Sequence, residues 1–362
     1  MNKKTAVIAA LVSTFIVGCG GTSGSAGRIV GLTAQPGLKL KSSVYYTNPT
    51  GPVTVIQSFA DGSYAFAVRG EVTFVKAGRA NTFSLPLNQD GIPAGTRLVV
   101  FDPSFQYNGR VFAWNGHFTT RGGTPEFSVL PMTFKGNGWA PGHAIYTTGA
   151  VNAYGMVIGV DNKLYLSGND PLASPTFAQD LHSTIGKVIR LNLDGSVPTA
   201  NPFSSHPDSS KFNLTVGNGR VDAITWNAVL GGALSLETTS PTSQELNFLV
   251  AGHEYGFPTP NETSSCPLLS WSDGSKGVAM MTYTGSAIIE WKGDVLIAWQ
   301  QAGSTRSFIR RVHITQGQVT ADQTVDLGTE GLVTAICQAP DGAILYATAG
   351  ATNRTIWHLA KG

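Results

Sequence analysis

The sequence is poor in charged side chains. They make up 13% of its 362 residues, about half the fraction usual in soluble domains. Residues 1–18 contain two of the 24 basic residues, so the rest of the chain has 22 basic and 22 acidic residues. A chain with this balance has no electrostatic basis for binding nucleic acid, so we expect no nucleic-acid partner.

Cysteine is also scarce. The chain has three cysteines, and it lacks the C-x-x-C pairs and histidine–cysteine clusters that bind zinc or haem. In an oxidising compartment Cys266 and Cys337 could form a disulfide, which requires Cα atoms within about 7 Å of each other. Two separate buried thiols are the alternative, and the sequence does not choose between them.

The N-terminus has an apolar run that is too short for an ordinary membrane span. Two lysines precede a mostly apolar stretch over residues 6–17, whereas a spanning helix needs about 20 such residues. The pattern is typical of a secretory signal in residues 1–18. It ends Ile16-Val17-Gly18-Cys19, which resembles the bacterial lipoprotein cleavage box, although an ordinary signal peptide with an incidental cysteine is the alternative.

Lipidation of Cys19 would hold the mature chain to a membrane. The Gly/Ser-rich residues that follow predict a flexible tether over residues 19–40. We therefore expect an exported protein that is lipid-anchored in the bacterial cell envelope, in the periplasm or at the outer membrane.

Glycine is abundant, with 43 residues, and it recurs in turns that precede short β-type runs. Six such runs follow one another: 61–68, 108–115, 161–168, 230–237, 292–299 and 341–348. Their spacing of about 50 to 70 residues fits one four-stranded sheet with variable loops. The sequence predicts an all-β, six-bladed β-propeller over residues 41–362, with residues 259–277 as a long loop between blades.

Residues 161–198 carry the most specific pattern. A turn at 161–162 precedes an apolar run, a polar break contains Asp170, and residues 179–190 contain Q-D-L-x-S-x-x-G-K-x-x-R before D-G-S-V-P at 194–198. This order resembles the pyrroloquinoline quinone (PQQ)-dependent glucose/sorbosone and aldose sugar dehydrogenases. Further matches at 101–114, 245–258 and 338–348 extend the resemblance over roughly residues 53–360.

The resemblance implies a propeller that oxidises an aldose at its anomeric carbon. In that family a histidine takes the hydroxyl proton, an aspartate orients it, and cationic and amide side chains hold PQQ beside Ca²⁺. Asp170 falls on the position of the aspartate. Glu245 falls on a calcium carboxylate of the family.

Many of the family's other functional positions are replaced. The base position falls on Val151, and loss of a general base costs on the order of 10²–10⁴ in rate. A cofactor-contacting glutamine falls on Pro93, and the family's arginine falls on Gly219, with Arg220 one position further along. Other replacements are the carbonyl-donating H-G-P at 238–240, both arginines at 332–336, and the fifth-blade lysine, near which Gln300 and Gln301 stand.

The candidates that remain have ordinary structural interpretations as well. Asp170 could cap a turn, Glu245 could orient the loop before its strand, and Arg220 could be a solvated turn residue. One carboxylate is also few for Ca²⁺, which takes six to eight oxygen ligands. His143, eight residues before Val151, would replace the base only if its loop is remodelled, and is otherwise a surface histidine.

Three aromatic residues allow two interpretations. Tyr154, Trp226 and Trp299 either pack within the blades or form a stacking wall for a sugar. Together these features predict a non-catalytic relative that binds a ligand or acts as a scaffold in the cell envelope, with a carbohydrate or an envelope protein as its partner. The alternative is an active sugar dehydrogenase with a rearranged site, which would use PQQ and calcium to oxidise an aldose to its lactone.

Overall fold

The computed structural model describes residues 38–47, 49–68, 70–86, 92–118, 125–149, 153–168, 170–261, 264–350 and 354–362. The side chains at 92–97, 117–118 and 125 are outside this description. The predicted signal sequence, Cys19, most of the predicted tether and Val151 therefore lie outside the described residues. None of the helices within the ranges given has the length and apolarity to cross a bilayer.

The strands form six antiparallel sheets, which we number as blades 1 to 6. The first strand is β1 (Leu40–Thr47), and it belongs to blade 6. Blade 1 contains β2 (Val55–Ser58), β3 (Tyr64–Val68), β4 (Glu71–Lys76) and β5 (Arg79–Ser84). Blade 2 contains β6 (Ile92–Phe101), β7 (Arg110–Phe118), β8 (Pro125–Phe134), β9 (Trp139–Pro141) and β10 (Tyr146–Thr148), with the short helix α1 (Phe105–Asn108) between β6 and β7.

The other four blades follow the same order. Blade 3 contains β11 (Met156–Ile158), β12 (Lys163–Ser167), β13 (Val188–Asn192) and β14 (Asn213–Thr215). Blade 4 contains β15 (Arg220–Asn227), β16 (Gly232–Thr238), β17 (Gln244–Phe248) and β18 (Leu269–Trp271). Blade 5 contains β19 (Lys276–Thr282), β20 (Val295–Gln300), β21 (Arg306–Thr315) and β22 (Gln318–Glu330), and blade 6 contains β23 (Leu332–Gln338), β24 (Ile344–Ala349) and β25 (Arg354–Lys361). Three single-turn 3₁₀ helices lie at Pro175–Ala178, Ser209–Phe212 and Ile289–Trp291.

The blades close into a ring through their first strands. β2, β6, β11, β15, β19 and β23 each contact the first strand of the next blade, and β23 contacts β2. β1 completes blade 6 by pairing with β25, from Leu40 opposite Lys361 to Thr47 opposite Thr355. The six-bladed β-propeller predicted from the sequence is confirmed, and its closure pairs the start of the described chain with its end.

The first strands also share a local irregularity. Register shifts leave Asp222 in β15, Val278 in β19 and Thr334 in β23 without a directly paired residue. Each is followed by an alanine that faces a central channel, at 223, 279 and 335. A β-bulge at the same place in three blades twists the strand and re-aims one side chain near the axis.

Apolar side chains pack between adjacent blades. The second strands are the most deeply buried, as in β3 and β16, where every residue is buried. Large side chains such as Trp114 and Trp299 are almost fully removed from solvent. The prediction of one long loop over 259–277 is wrong in detail, since β18 and the start of β19 lie within it.

Candidate functional site

The channel through the ring has an upper and a lower end. We call the end at which the first strands begin the upper face, and the end at which they finish the lower face. Near the upper face the channel holds a cavity of about 140 Å³ whose lining residues are mostly of apolar type, among them Ile56, Met156 and Ile336. Tyr154 and Asp222 bring polar groups to its lining.

Arg220 and its neighbours form a charged group beside this cavity. The guanidinium Nε of Arg220 donates to Asp222 Oδ1 at 2.7 Å, and Nη1 lies 3.9 Å from Asp170 Oδ2. The guanidinium also lies over the ring of Tyr154, 5.2 Å from its centroid. Burial acts to lower the pKa of Arg220, but Asp222 and then Asp170 raise it above the usual value. One cation therefore faces two carboxylates.

Two further side chains fix Asp222 from blade 4. The hydroxyl of Thr238 and the amide of Gln244 both donate to Asp222 Oδ2, the latter at 3.0 Å. Gln244 also bonds both backbone groups of Gly277 in blade 5, at 2.9 and 2.7 Å. We refer to Tyr154, Asp170, Arg220, Asp222, Thr238 and Gln244 as the upper cluster. It joins blades 3, 4 and 5.

A buried carboxylate positions the turn before Arg220. Glu237 is fully buried and accepts hydrogen bonds from Ser235 Oγ, from Asn218 Nδ2 at 3.0 Å and from the Gly219 amide at 3.1 Å. Burial raises the pKa of Glu237, and these donors oppose the rise. The turn 217–219 is thus tied to β16, which sets where the Arg220 side chain starts.

A buried lysine organises the loop that carries Asp170. Lys187 is fully buried, and its ammonium donates to the carbonyls of Phe177, Ala178 and Ile185 at 3.1, 2.6 and 2.7 Å. Burial lowers its pKa to about 7. Asp170 itself accepts from the Leu172 amide at 2.9 Å, as in a turn cap, so its two oxygens serve both the loop and the upper cluster.

Glu245 lies on a different surface from the upper cluster. It is opposite Glu237 across β16 and β17, and Glu237 bonds Asn218 and Gly219 in the turn that joins blade 3 to blade 4. Burial and then the charge of Glu237 raise the pKa of Glu245 to about 7. In the described part of the chain, no group of three or more His, Cys, Asp or Glu side chains is arranged to hold a metal ion.

Other residues singled out in the sequence lie away from the cavity. His143 is exposed, in the break between β9 and β10 at the outer edge of blade 2. Trp299 is buried against Trp271, and Trp226 packs on Tyr165 near the lower end of β15. These two tryptophans are blade-packing residues. Gln300 donates to the Val333 carbonyl at 3.2 Å and so links blade 5 to blade 6.

Of the two alternatives that the sequence left open for Cys266 and Cys337, a disulfide between them is excluded. Cys337 is a free thiol in β23. Burial raises its pKa to about 12, as expected for a thiol packed in an apolar sheet.

Sequence reasoning missed three members of the upper cluster. Asp222 could have been suspected, because it lies two residues after Arg220 on a strand and so shares its face. Thr238 was considered only as a lost family position, and Gln244 carried no recognisable signal. Their roles depend on the bulge in β15 and on contacts between blades.

Comparison with known proteins identifies the group to which the fold and these motifs belong. The model of the family described as glucose / sorbosone dehydrogenase matches residues 59–357. The quinoprotein glucose dehydrogenase B of Acinetobacter calcoaceticus is 35% identical over 121 residues, which cover 28% of this chain and 25% of that protein. The chain thus spans about a quarter of that relative.

Solved structures show the same fold. The soluble aldose sugar dehydrogenase of Escherichia coli in its apo form superposes with a TM-score of 0.75 at 16% identity, covering 90% of this chain and 100% of that one. The PQQ-bound aldose sugar dehydrogenase of Streptomyces coelicolor superposes with a TM-score of 0.69 at 19% identity, covering 90% and 99%. Since the family model spans most of the propeller, this chain belongs to the glucose / sorbosone dehydrogenase family.

Proposed function

We propose that the upper cluster binds a neutral carbohydrate without oxidising it. The observation that carries this proposal is the charge balance around Arg220, whose guanidinium is paired with Asp222 and lies near Asp170. Such a group offers hydrogen-bond donors and acceptors but no uncompensated positive charge. Hydroxyl groups suit this arrangement, because each can donate to a carboxylate and accept from a guanidinium.

An aromatic ring beside the polar groups fits the same ligand class. Tyr154 is 37% exposed at the edge of the cavity. The apolar face of a sugar ring can pack on such a side chain while its hydroxyls reach the charged groups. The cavity of about 140 Å³ is smaller than the roughly 300–1,000 Å³ of pockets that enclose drug-sized ligands. We therefore expect one sugar unit to enter and the rest of any longer ligand to stay outside.

PQQ fits these residues poorly. It carries three carboxylates, and none of the described residues that line the cavity is Lys, Arg or His. Moving anionic groups out of water without partners costs several kcal/mol each. The nearby guanidinium is already paired with a carboxylate. For these reasons we do not favour the alternative of an active PQQ-dependent sugar dehydrogenase.

Calcium is a separate question, because Glu245 lies away from the upper cluster. Glu245 and Glu237 face each other across β16 and β17, and the buried side-chain amide of Asn247 bonds both carboxylates and acts to lower the pKa of each. These groups would supply some of the oxygen ligands that Ca²⁺ requires. If the ion binds here, its role is to join strands of blade 4 and not to hold a substrate.

The carbohydrate proposal is tested by calorimetric titration of the purified protein with glucose, galactose, xylose and their disaccharides. We expect at least one to bind, and expect Tyr154→Ala and Asp222→Asn to weaken binding by roughly tenfold or more, since one lost buried contact is worth about 1.4 kcal/mol. His143→Ala is the matched control and should leave binding unchanged. Equal loss in the control, or no binding of any sugar tested, would count against the proposal.

We also propose that Cys19 is acylated and anchors the propeller in the cell envelope. The support is the Ile16-Val17-Gly18-Cys19 sequence that follows the apolar run. The wild-type protein made in bacteria should partition into Triton X-114. The Cys19→Ala variant should lack the acyl group by mass spectrometry.

A further inference from the structure

The lower face of the propeller displays apolar side chains in four consecutive blades. The turns that join first to second strands expose Tyr107 (95%), Val160 (77%), Val229 (66%) and Ile289 (56%). We call these four residues the lower apolar ring. Among the described residues, the other large exposed apolar side chains are scattered over β1 and the upper loops. Exposed apolar groups that gather on one face mark an interaction surface.

The fold holds these side chains in outward positions. Tyr107 follows Phe105, which is buried in α1, and Ile289 lies between the buried Ile288 and Trp291. The turn with Val160 is closed by the Gly159 amide, which donates to the Lys163 carbonyl at 2.9 Å. Because these neighbouring residues are anchored in the core, Tyr107 and Ile289 are held outward.

The start of the described chain lies at the same face. Leu40 pairs with Lys361 at the lower end of β25, and the Gly362 amide donates to the Lys39 carbonyl at 2.8 Å. Lys361 forms an ion pair with Glu290 in the same 3₁₀ turn as Ile289. The segment before residue 38 therefore joins the propeller beside the lower apolar ring.

We propose that the lower apolar ring rests on the surface of a lipid bilayer. This inference uses the acyl anchor at Cys19 proposed above, but the surface should also bind lipid without the anchor. A Gly/Ser-rich sequence of 19 residues, the length from Cys19 to residue 37, has an expected root-mean-square length of roughly 25 Å, so an acyl anchor at Cys19 would keep the lower face near the membrane. Apolar side chains at the headgroup boundary bind in proportion to the area they bury.

Basic residues add a second attraction. Lys39, Lys41 and Lys292 are exposed at this face, and the exposed Asp61 and Asp341 in turns of the same face are paired with Lys76 and His358. Lysines beside an anionic leaflet strengthen binding within a Debye length of its surface. With the lower face on the bilayer, the upper cluster faces away from it and is open to solutes.

The test uses residues 20–362, which keep every described strand and lack the acylated cysteine. The protein is mixed with vesicles of phosphatidylethanolamine and phosphatidylglycerol, and bound protein is measured by flotation. We expect binding that falls roughly tenfold or more when Tyr107, Val160, Val229 and Ile289 are all replaced by serine. The matched control, Val44→Ser with Phe177→Ser, removes exposed apolar side chains elsewhere and should bind like the parent.

Three results would overturn this inference. They are no flotation of the parent protein, unchanged flotation of the fourfold variant, and equal loss in the control. The alternative occupant of this face is a second copy of the chain, and sedimentation velocity tests for it. If the parent protein is a dimer and the fourfold variant is a monomer, the face is an interface between copies. The sugar titrations and the acylation of Cys19 are independent of all these outcomes, so their failure would be separately visible.

Discussion

Replacing Arg220 by methionine tests whether one guanidinium holds the upper cluster together. Methionine keeps an unbranched chain that can pack against Tyr154, but it removes the charge. The side chain of Asp222 is 11% exposed and that of Asp170 is 23% exposed. In the variant, both carboxylates would lack their cation while remaining largely out of water.

The expected cost follows from these contacts. Removal of one partner from a buried ion pair typically lowers the free energy of unfolding by about 3–5 kcal/mol. In the variant Asp222 keeps its hydrogen bonds from Thr238 and Gln244, which reduces the cost of losing the guanidinium. Asp170 is 3.9 Å from the guanidinium, so the loss of that contact costs less than the loss of a direct ion pair. We expect Arg220→Met to lower the free energy of unfolding by about 2–3 kcal/mol at pH 7.

Urea denaturation monitored by circular dichroism measures this change. The matched control is Arg306→Met, because the Arg306–Asp326 pair is 49% and 44% exposed, and such pairs contribute about 0–1 kcal/mol. Adding Asp222→Asn to Arg220→Met should cost less than the sum of the two single changes. Equal shifts for Arg220→Met and Arg306→Met, or strict additivity in the double variant, would refute the reasoning.

Three further results are expected. Lys187→Met removes the donor to three buried carbonyls and should cost about 2–4 kcal/mol of unfolding free energy. Because burial lowers the pKa of Lys187 to about 7 in the folded protein, the unfolded chain binds more protons than the folded chain does above that pH. The parent should therefore gain stability relative to Lys187→Met as the pH rises from 7 to 10, and no gain in paired urea titrations would count against this. Cys337, whose pKa is raised to about 12, should react with Ellman's reagent at pH 8 far more slowly in the folded protein than in urea. If Ca²⁺ binds at Glu245, millimolar Ca²⁺ should raise the urea midpoint of the parent more than that of Glu245→Gln, and an equal effect on both would remove Glu245 from any calcium site.

The fold was predictable because of where the repeated signal falls. Each of the six runs found in the sequence overlaps the second strand of a blade, such as β3 or β24. These strands are buried on both faces, so each of them appears in the sequence as a continuous apolar run that follows a turn. The pairing of β1 with β25 was not predictable, since residues so distant in sequence leave no local pattern.

The site was predictable only in part. Asp170, Arg220 and Tyr154 were each identified, but on separate segments and for separate reasons. Their association depends on the bulge at Asp222 and on the buried carboxylate of Glu237, which fixes the turn before Arg220. Register shifts and contacts between blades are tertiary features, so a single sequence does not encode them in readable form.

The central claim is that this member of the family binds a neutral ligand and not an anionic quinone. Its most direct test is a spectroscopic titration of the purified protein with PQQ in the presence of Ca²⁺, followed by glucose and an artificial electron acceptor. The account predicts no saturable binding at micromolar PQQ and no reduction of the acceptor. Saturable binding at that concentration, with glucose-dependent reduction that Asp170→Asn or Arg220→Met abolishes, would contradict it.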